Sequence, residues 1–306
     1  SREAARRTLP HWILERWECS FGSDAATVLA MASSQVPPTT LRAEAGQREA
    51  IQQRLAKEGI QTEPGRISEC ALTVRSGSIH AAEALRSGEV VIQDEASQLV
   101  AMLLAPRAGD CVLDLCAAPG IKTGQLAADL RRGALVACDR SGQRLRTMKR
   151  LLRGHIPADV RLDLVRLDAT SALPFADPFD RILVDAPCSG TGTLARNPEI
   201  KWRLQPEDLV RLSEMQGRIL RNALAVLAPG GRLVYATCSL EPEENEDVVR
   251  KVFAEVRDCR LVGKDELAGE FSALSGLFDS SGYLRTRPDL HGTDGFFAAV
   301  IKRADP

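Results

Sequence analysis

The sequence predicts an α/β fold: a mostly parallel, twisted sheet with helices packed on it, preceded by a small N-terminal α/β domain. Three observations carry this reading. From Val90 onward, short apolar runs alternate with helical stretches, the pattern of successive βαβ units. Residues 1–89 lack that alternation and form a separate unit, so the domains are expected at 1–89 and 90–306. Several apolar runs end in an acid or a cysteine followed by small residues, and open α/β sheets bind ligands beyond those strand ends.

In the first unit, residues 10–17 (PHWILERW) read as a short amphipathic helix. Residues 47–59 read as a second helix, stopped by Gly59. Pro37-Pro38 and Pro64-Gly65 mark turns. In the second unit the strand candidates are CVLDLC (111–116), ALVACD (134–139), VRLDLVRLD (160–168), RILVDAP (181–187), RLVYATC (232–238) and GFFAAVIKR (295–303). Pro206 suits a first helical position, and Leu209, Leu212, Ile219, Leu220, Leu224 and Leu227 follow at helical spacing. Ala228-Pro229-Gly230-Gly231 is expected to end that helix as a turn.

Composition narrows the classes. With 306 residues, 44% of them hydrophobic and 26% charged, the chain can bury a sizeable core. The net charge of -1 gives no global basic signature, so any polyanion site is a local patch. Aromatics are 4%, which disfavours extended base-stacking platforms. The eight cysteines include no CxxC pair and no nearby His cluster, so no metal site is expected. Cys111, Cys116 and Cys138 sit in apolar runs, where cysteine behaves as a small hydrophobe in a reducing compartment. No run is long enough to span a membrane, and the N-terminal SREAARR lacks the apolar segment of a signal peptide. A cytoplasmic monomer is expected, as a piece of a longer chain given the initial Ser1.

The first strand candidate runs into Cys116-Ala117-Ala118-Pro119-Gly120-Ile121-Lys122-Thr123-Gly124. Small residues let a ligand approach the backbone, and the next helix offers free N–H groups. The spacing is neither GxGxxG nor GxxxxGK[ST], which argues against a dinucleotide fold and a phosphate loop. Asp139 ends the second strand, where a carboxylate accepts from a ribose diol; Asp168 ends the third, placed for an adenine amino group; Asp185 ends the fourth. Each acid alone reads more readily as a helix cap or a loop turn than as a ligand contact. Together they suit adenosine and repel a pyrophosphate, favouring S-adenosylmethionine over NAD as cofactor.

Cys188 and Cys238 lie past their apolar runs, beside polar residues. If strands four and five are neighbours, both thiols face one cleft. A thiolate added to carbon 6 of cytosine makes carbon 5 nucleophilic toward a methyl sulfonium, splitting one hard step into two. The site must favour the thiolate, since a free thiol has a pKa of about 8.5. Asp185 is placed to bind the cytosine edge at ring nitrogen 3 and its amino group. The residues alone do not rank the two thiols.

CAAPGIKT (116–123), DAPCSGTG (185–192) and ATCSLEPEEN (236–245) resemble the Sun/RsmB/NSUN family of S-adenosylmethionine-dependent RNA 5-cytosine methyltransferases. Gln93-Asp94-Glu95-Ala96-Ser97 and Asp294-Gly295-Phe296-Phe297 are also similar to family elements. The resemblance covers about Val90 to Lys302 and extends more weakly to the first domain, similar to the family's small RNA-binding domain. It implies a Rossmann-like class I methyltransferase fold. It implies that Cys238 is the nucleophile and Cys188 the thiol that assists release. It also implies that Cys116, Ala117, Ala118, Pro119, Gly120, Ile121 and Lys122 form the cofactor loop, with Asp139, Arg144, Asp168 and Asp185 as further cofactor contacts. Lys122 is similar to the family lysine that reaches the active-site acid. Ile121 departs from the family's usual second glycine, so either its dihedrals are ordinary or the loop differs.

The implied partner is RNA, ribosomal RNA first, with a flipped or single-stranded cytosine. Arg140, Arg144, Arg146, Lys149, Arg150 and Arg153 after the second strand, and Arg196, Lys201 and Arg203 after the Pro-Cys motif, are candidate phosphate contacts. For the first group a solvated helix face is an equal reading. Trp202 serves either RNA stacking or the core. The rival functions are methylation of tRNA or DNA, and a non-catalytic RNA-binding assembly factor. A late target-recognition region, as in DNA enzymes, has no room after Cys238, and the intact Cys188, Cys238, Asp185 and Lys122 argue against the assembly factor.

Overall fold

The computed structural model describes residues 2–305; Ser1 and Pro306, the outermost residues of the two expected domains, lie outside the described residues. Three helices come first, α1 (Arg2–Thr8), α2 (His11–Phe21) and α3 (Ser23–Ala32). Ile13, Leu14 and Trp17 of α2 and Leu29 of α3 are buried against Leu194, Ile200, Leu204 and Leu240, from far along the chain. The 10–17 segment is therefore helical as expected, and its apolar side faces the second unit.

A small sheet follows, built from β1 (Thr40–Ala43), β2 (Gln61–Pro64) and β3 (Ala71–Ser76), with α4 (Arg48–Lys57) and α5 (Glu83–Arg86) around it, and closed by β4 (Val90–Ile92). Its order is β2-β3-β1-β4 and every pairing is antiparallel. Val90 pairs with Ala43, so the expected border before Val90 leaves the whole of β4, the last strand of this sheet, on the side of the second unit. Val90 belongs there because it is buried in the small core with Leu41, Leu55 and Leu72.

The large unit runs α6 (Glu95–Met102), β5 (Cys111–Leu115), α7 (Ile121–Leu130), β6 (Gly133–Asp139), α8 (Gly142–Leu151), β7 (Val160–Arg166), β8 (Phe179–Asp185), α9 (Ile200–Arg203), α10 (Pro206–Ala225) and β9 (Leu227–Thr237). It ends with α11 (Glu246–Phe253), β10 (Cys259–Leu261), α12 (Lys264–Glu270), β11 (Leu284–Arg285), α13 (Pro288–His291) and β12 (Phe297–Arg303). The sheet order is β10-β12-β9-β8-β5-β6-β7, with β11 paired to β12. The five strands from β7 to β9 are parallel; β12 is antiparallel to β9. Two apolar layers cover the sheet, one including Leu99, Leu126 and Val234, the other Ile182, Leu220 and Tyr235. This is the expected Rossmann-like class I methyltransferase architecture.

One local expectation fails. The residues 228–231 do not form a turn between helix and strand. α10 stops at Ala225, and Leu227 is already paired with Phe179 in β9; the register then jumps to Arg181 with Arg232. Burial of Leu227 draws it into the sheet, and Ala228-Pro229-Gly230-Gly231 are accommodated as an irregularity inside the strand.

Candidate active site

β8 and β9 lie side by side, with Asp185 opposite Ala236 and the Ala186 N–H donating to the Ala236 carbonyl at 2.8 Å. Parallel pairing puts the residues that follow both strands at the same edge of the sheet. Cys188 Sγ and Cys238 Sγ stand 3.4 Å apart there. The two loops are fastened by backbone: Gly192 donates to the Cys238 carbonyl at 3.0 Å, and Gly295 donates to the Gly192 carbonyl at 2.8 Å. A side chain at Gly192 would lie 2.0 Å from the Gly295 carbonyl oxygen, so only glycine permits this approach.

Behind the thiols sits Glu244, fully buried. Its carboxylate accepts from the Ser189 N–H at 2.8 Å, the Gln216 side chain at 2.9 Å, and the hydroxyls of Ser189 and Ser239. Burial raises its pKa against the pull of those hydrogen bonds. Tyr235 donates to the Glu244 carbonyl at 2.6 Å. Glu244 stands inside the 236–245 motif, but only the fold shows that it anchors the Ser that follows each thiol.

In front of the thiols a cavity of about 290 Å³ is lined by Asp114, Ala117, Lys122, Asp185, Cys238 and Phe296, among others. Cys188 is not on that wall. Lys122 Nζ donates to Asp185 Oδ2 at 2.9 Å and lies 5.2 Å from the Phe296 ring centre. Burial alone would lower the Lys122 ammonium, yet the Asp185 carboxylate holds it above its ordinary value, so the lysine stays charged. The Cys188 thiol is pushed well above its ordinary value by its hydrogen bond with Cys238 and by burial. The raised value favours the protonated form of Cys188.

The expected cofactor loop opens this cavity. Cys116 and Gly120 take positive φ of 63° and 104°, and Ala118-Pro119 is cis. Ile121 is the first residue of α7 and is absent from the positive-φ positions, so its dihedrals are ordinary and the loop accepts a branched residue there. Ala117, Ala118, Pro119, Ile121 and Lys122 line the cavity; the Cys116 thiol is half-buried, and desolvation raises its pKa. Asp139 is buried at the end of β6, where it accepts from the Ser141 N–H at 2.8 Å and pairs with Arg144 at 3.1 Å. Arg144 also donates to the Ala118 carbonyl, tying Asp139 to the loop. Asp168 is not brought to the cavity wall: it is exposed, and its Oδ1 accepts from the Thr170 N–H at 2.9 Å and hydroxyl at 2.7 Å, a local turn.

These residues fit S-adenosylmethionine. Asp114 borders the cavity; its Oδ2 accepts from Thr123 at 2.6 Å, while its Oδ1 is buried with no partner among the described residues. An acceptor in that state matches a cationic ligand group better than an anionic one. Asp114, Asp139 and the 116–122 backbone would hold the cofactor. Among the described residues no cluster of His, Cys, Asp or Glu suits a metal ion, and no helix is long and apolar enough to cross a membrane.

Three basic and aromatic expectations change. Arg196 is not free for phosphate: its guanidinium reaches Asp294 at 3.0 Å and Asp94 at 3.0 Å, joining the start of α6 to the entrance of β12. Lys201 is buried and donates to Ser34 at 3.2 Å, because α9 packs onto the N-terminal helices; burial lowers its pKa. Trp202 is 71% exposed, which removes the core reading. The Arg196–Asp94–Asp294 cluster itself was not legible, since its members are about 100 residues apart.

A family model described as 16S rRNA methyltransferase RsmB/F matches residues 101–302, and one described as the RsmF/B-like ferredoxin-like domain matches residues 9–79. The probable ribosomal RNA small subunit methyltransferase B of Bacillus subtilis is 33% identical over 99% of this chain and 68% of its own length. The ribosomal RNA small subunit methyltransferase B of Vibrio cholerae is 33% identical over 99% of this chain and 67% of its own. Among solved structures, a methyltransferase homolog protein from Pyrococcus horikoshii is 29% identical and superposes with a TM-score of 0.82 over 99% of this chain and 98% of that one. NSun6 from Pyrococcus horikoshii, solved with SFG, shares the fold with a TM-score of 0.84 at 20% identity, over 98% of this chain and 100% of that one. Through both of its units, the chain belongs to the RsmB/F family of S-adenosylmethionine-dependent RNA methyltransferases.

Proposed function

We propose that this protein methylates carbon 5 of a cytosine in small-subunit ribosomal RNA through a transient bond between Cys238 and carbon 6. One observation carries the reading: two thiols 3.4 Å apart, of which Cys238 alone lines the cavity that also holds Asp185 and Lys122. Bound S-adenosylmethionine supplies an electrophilic methyl group at its sulfonium. The Cys238 thiolate adds to carbon 6 of the ring, and the carbon 5–carbon 6 double-bond pair becomes available at carbon 5. Asp185 accepts from the exocyclic amino group. The Lys122 ammonium beside it stabilises the negative charge that develops on the ring. After methylation, carbon 5 gives its proton to a base, the double bond re-forms and the carbon 6–sulfur bond breaks, returning its electron pair to Cys238. Cys188, held protonated, donates to that departing sulfur. In this reading the target base is unstacked before it reaches Cys238.

The test is incubation with methyl-labelled S-adenosylmethionine and either a small-subunit rRNA transcript or DNA of the same sequence. Label in RNA, mapped to cytosine by bisulfite resistance, is expected. Label in DNA alone, or in RNA at a ring or ribose position other than carbon 5, contradicts the proposal.

A further inference from the structure

We propose that the outer face of α8 is a phosphate-binding track for RNA flanking the target cytosine, made by Arg146, Lys149, Arg150 and Arg153. This rests on RNA being the substrate. The four fall at i, i+3, i+4 and i+7, one stripe of a helix, with Arg153 in the turn just after α8. All four are exposed, and none pairs with an acid among the described residues. Arg150 reaches only the Thr147 hydroxyl, at 3.3 Å. By contrast, Arg16, Arg181, Arg232 and Arg285 are each paired to acids.

The stripe is unfavourable for the isolated protein. Arg146 with Arg150, and Lys149 with Arg153, are like charges four residues apart, and such pairs destabilise a helix. α8 contains no acid at all, in a chain whose net charge is -1. The acids that end the flanking strands are engaged, Asp139 by Ser141 and Arg144, Asp168 by Thr170. Arg166 of β7 reinforces the patch: a side chain at Gly142 would lie 3.5 Å from Arg166 and 3.7 Å from Arg146. A polyanion laid along this face converts repulsion into attraction and releases counterions.

Position also favours RNA over a passive solvated face. The inner side of α8, through Leu145 and Met148, packs on Ala117 and Ala118 of the cofactor loop. A side chain at Gly120 would meet Met148 at 2.6 Å, so helix and loop are in direct contact. The track thus lies on the outer side of the helix whose inner side backs the cofactor loop.

The experiment compares the wild type with Arg146→Gln/Lys149→Gln/Arg150→Gln/Arg153→Gln, glutamine being a good helix former. Binding of a small-subunit rRNA transcript is measured from low to physiological salt. The variant is expected to bind at least about tenfold more weakly, with the slope of log K against log salt shallower by about 2–3. A charge-keeping variant, Arg146→Lys/Arg150→Lys/Arg153→Lys, is expected to retain the wild-type slope. S-adenosylmethionine affinity, read by calorimetry, is expected to be unchanged in both, which separates lost charge from misfolding. Equal affinity and equal slope in the glutamine variant overturn the track. Wild-type protein that binds RNA with the steeper slope yet methylates no cytosine supports the track and sinks the proposed function instead.

Discussion

Two thiols stand 3.4 Å apart, and only one of them lines the cavity. Cys188 is held in its protonated form by the hydrogen bond to its neighbour and by burial, and Cys238 alone opens to the cavity. Cys238→Ala is therefore expected to abolish turnover while leaving S-adenosylmethionine affinity near wild type, as calorimetry and a filter-binding assay would show together. Asp114 gives a second test at this scale. Burial pushes its carboxyl from 3.8 up to about 7. The folded state then keeps a proton that the unfolded state has lost, so this group's contribution to stability is full below pH 3.8 and is lost as pH rises to about 7. Asp114→Asn removes that dependence. Relative to wild type, its unfolding free energy is expected to improve by up to ~4 kcal/mol between pH 4 and pH 8, measured by denaturant titration. An unchanged difference across that range would show Asp114 ionised throughout. The sequence made the motif residues legible because their chemistry is packed into short runs. It did not show that Lys201 and Trp202, adjacent in the chain, take opposite fates, since that depends on which side of a one-turn helix meets α3.

At the scale of elements, the strand ends set the site. Six apolar runs became β5, β6, β7, β8, β9 and β12, and the neighbour relation of β8 and β9 follows from the expected topology. What the sequence hid were contacts between loops. Gly192 and Gly295 read as ordinary turn residues, yet their backbones touch and lock the loop after β8 to the entrance of β12. Gly192→Ala must push these segments apart. It is expected to cost roughly 1–3 kcal/mol in urea unfolding and to lower activity more than its stability loss accounts for. Wild-type stability with wild-type activity would mean the loops yield freely. The bulged 228–231 segment was misread for a similar reason: Pro and Gly signal a turn locally, while burial of Leu227 decides where the strand begins.

At the scale of the whole molecule, the N-terminal helices are part of the active-site support. Arg16 donates to Glu241 at 2.8 Å and Trp17 donates to it at 3.1 Å, three residues after Cys238. Glu241 is buried, so it depends on both donors. Trp17→Phe keeps the apolar bulk and removes the N–H, and is expected to destabilise by about 1–3 kcal/mol on thermal unfolding. No change would mean that Arg16 alone satisfies the carboxylate. Composition could separate the two units but not show this clamp, because the contacts join residues more than 220 apart. Small unit, clamp and cavity converge on one sulfur atom. The most direct test is a denaturing gel of Cys188→Ala mixed with small-subunit rRNA and S-adenosylmethionine. A protein–RNA band that survives denaturation, and disappears when Cys238→Ala is added to the same chain, is expected. A band that requires Cys188 and not Cys238 would contradict the account.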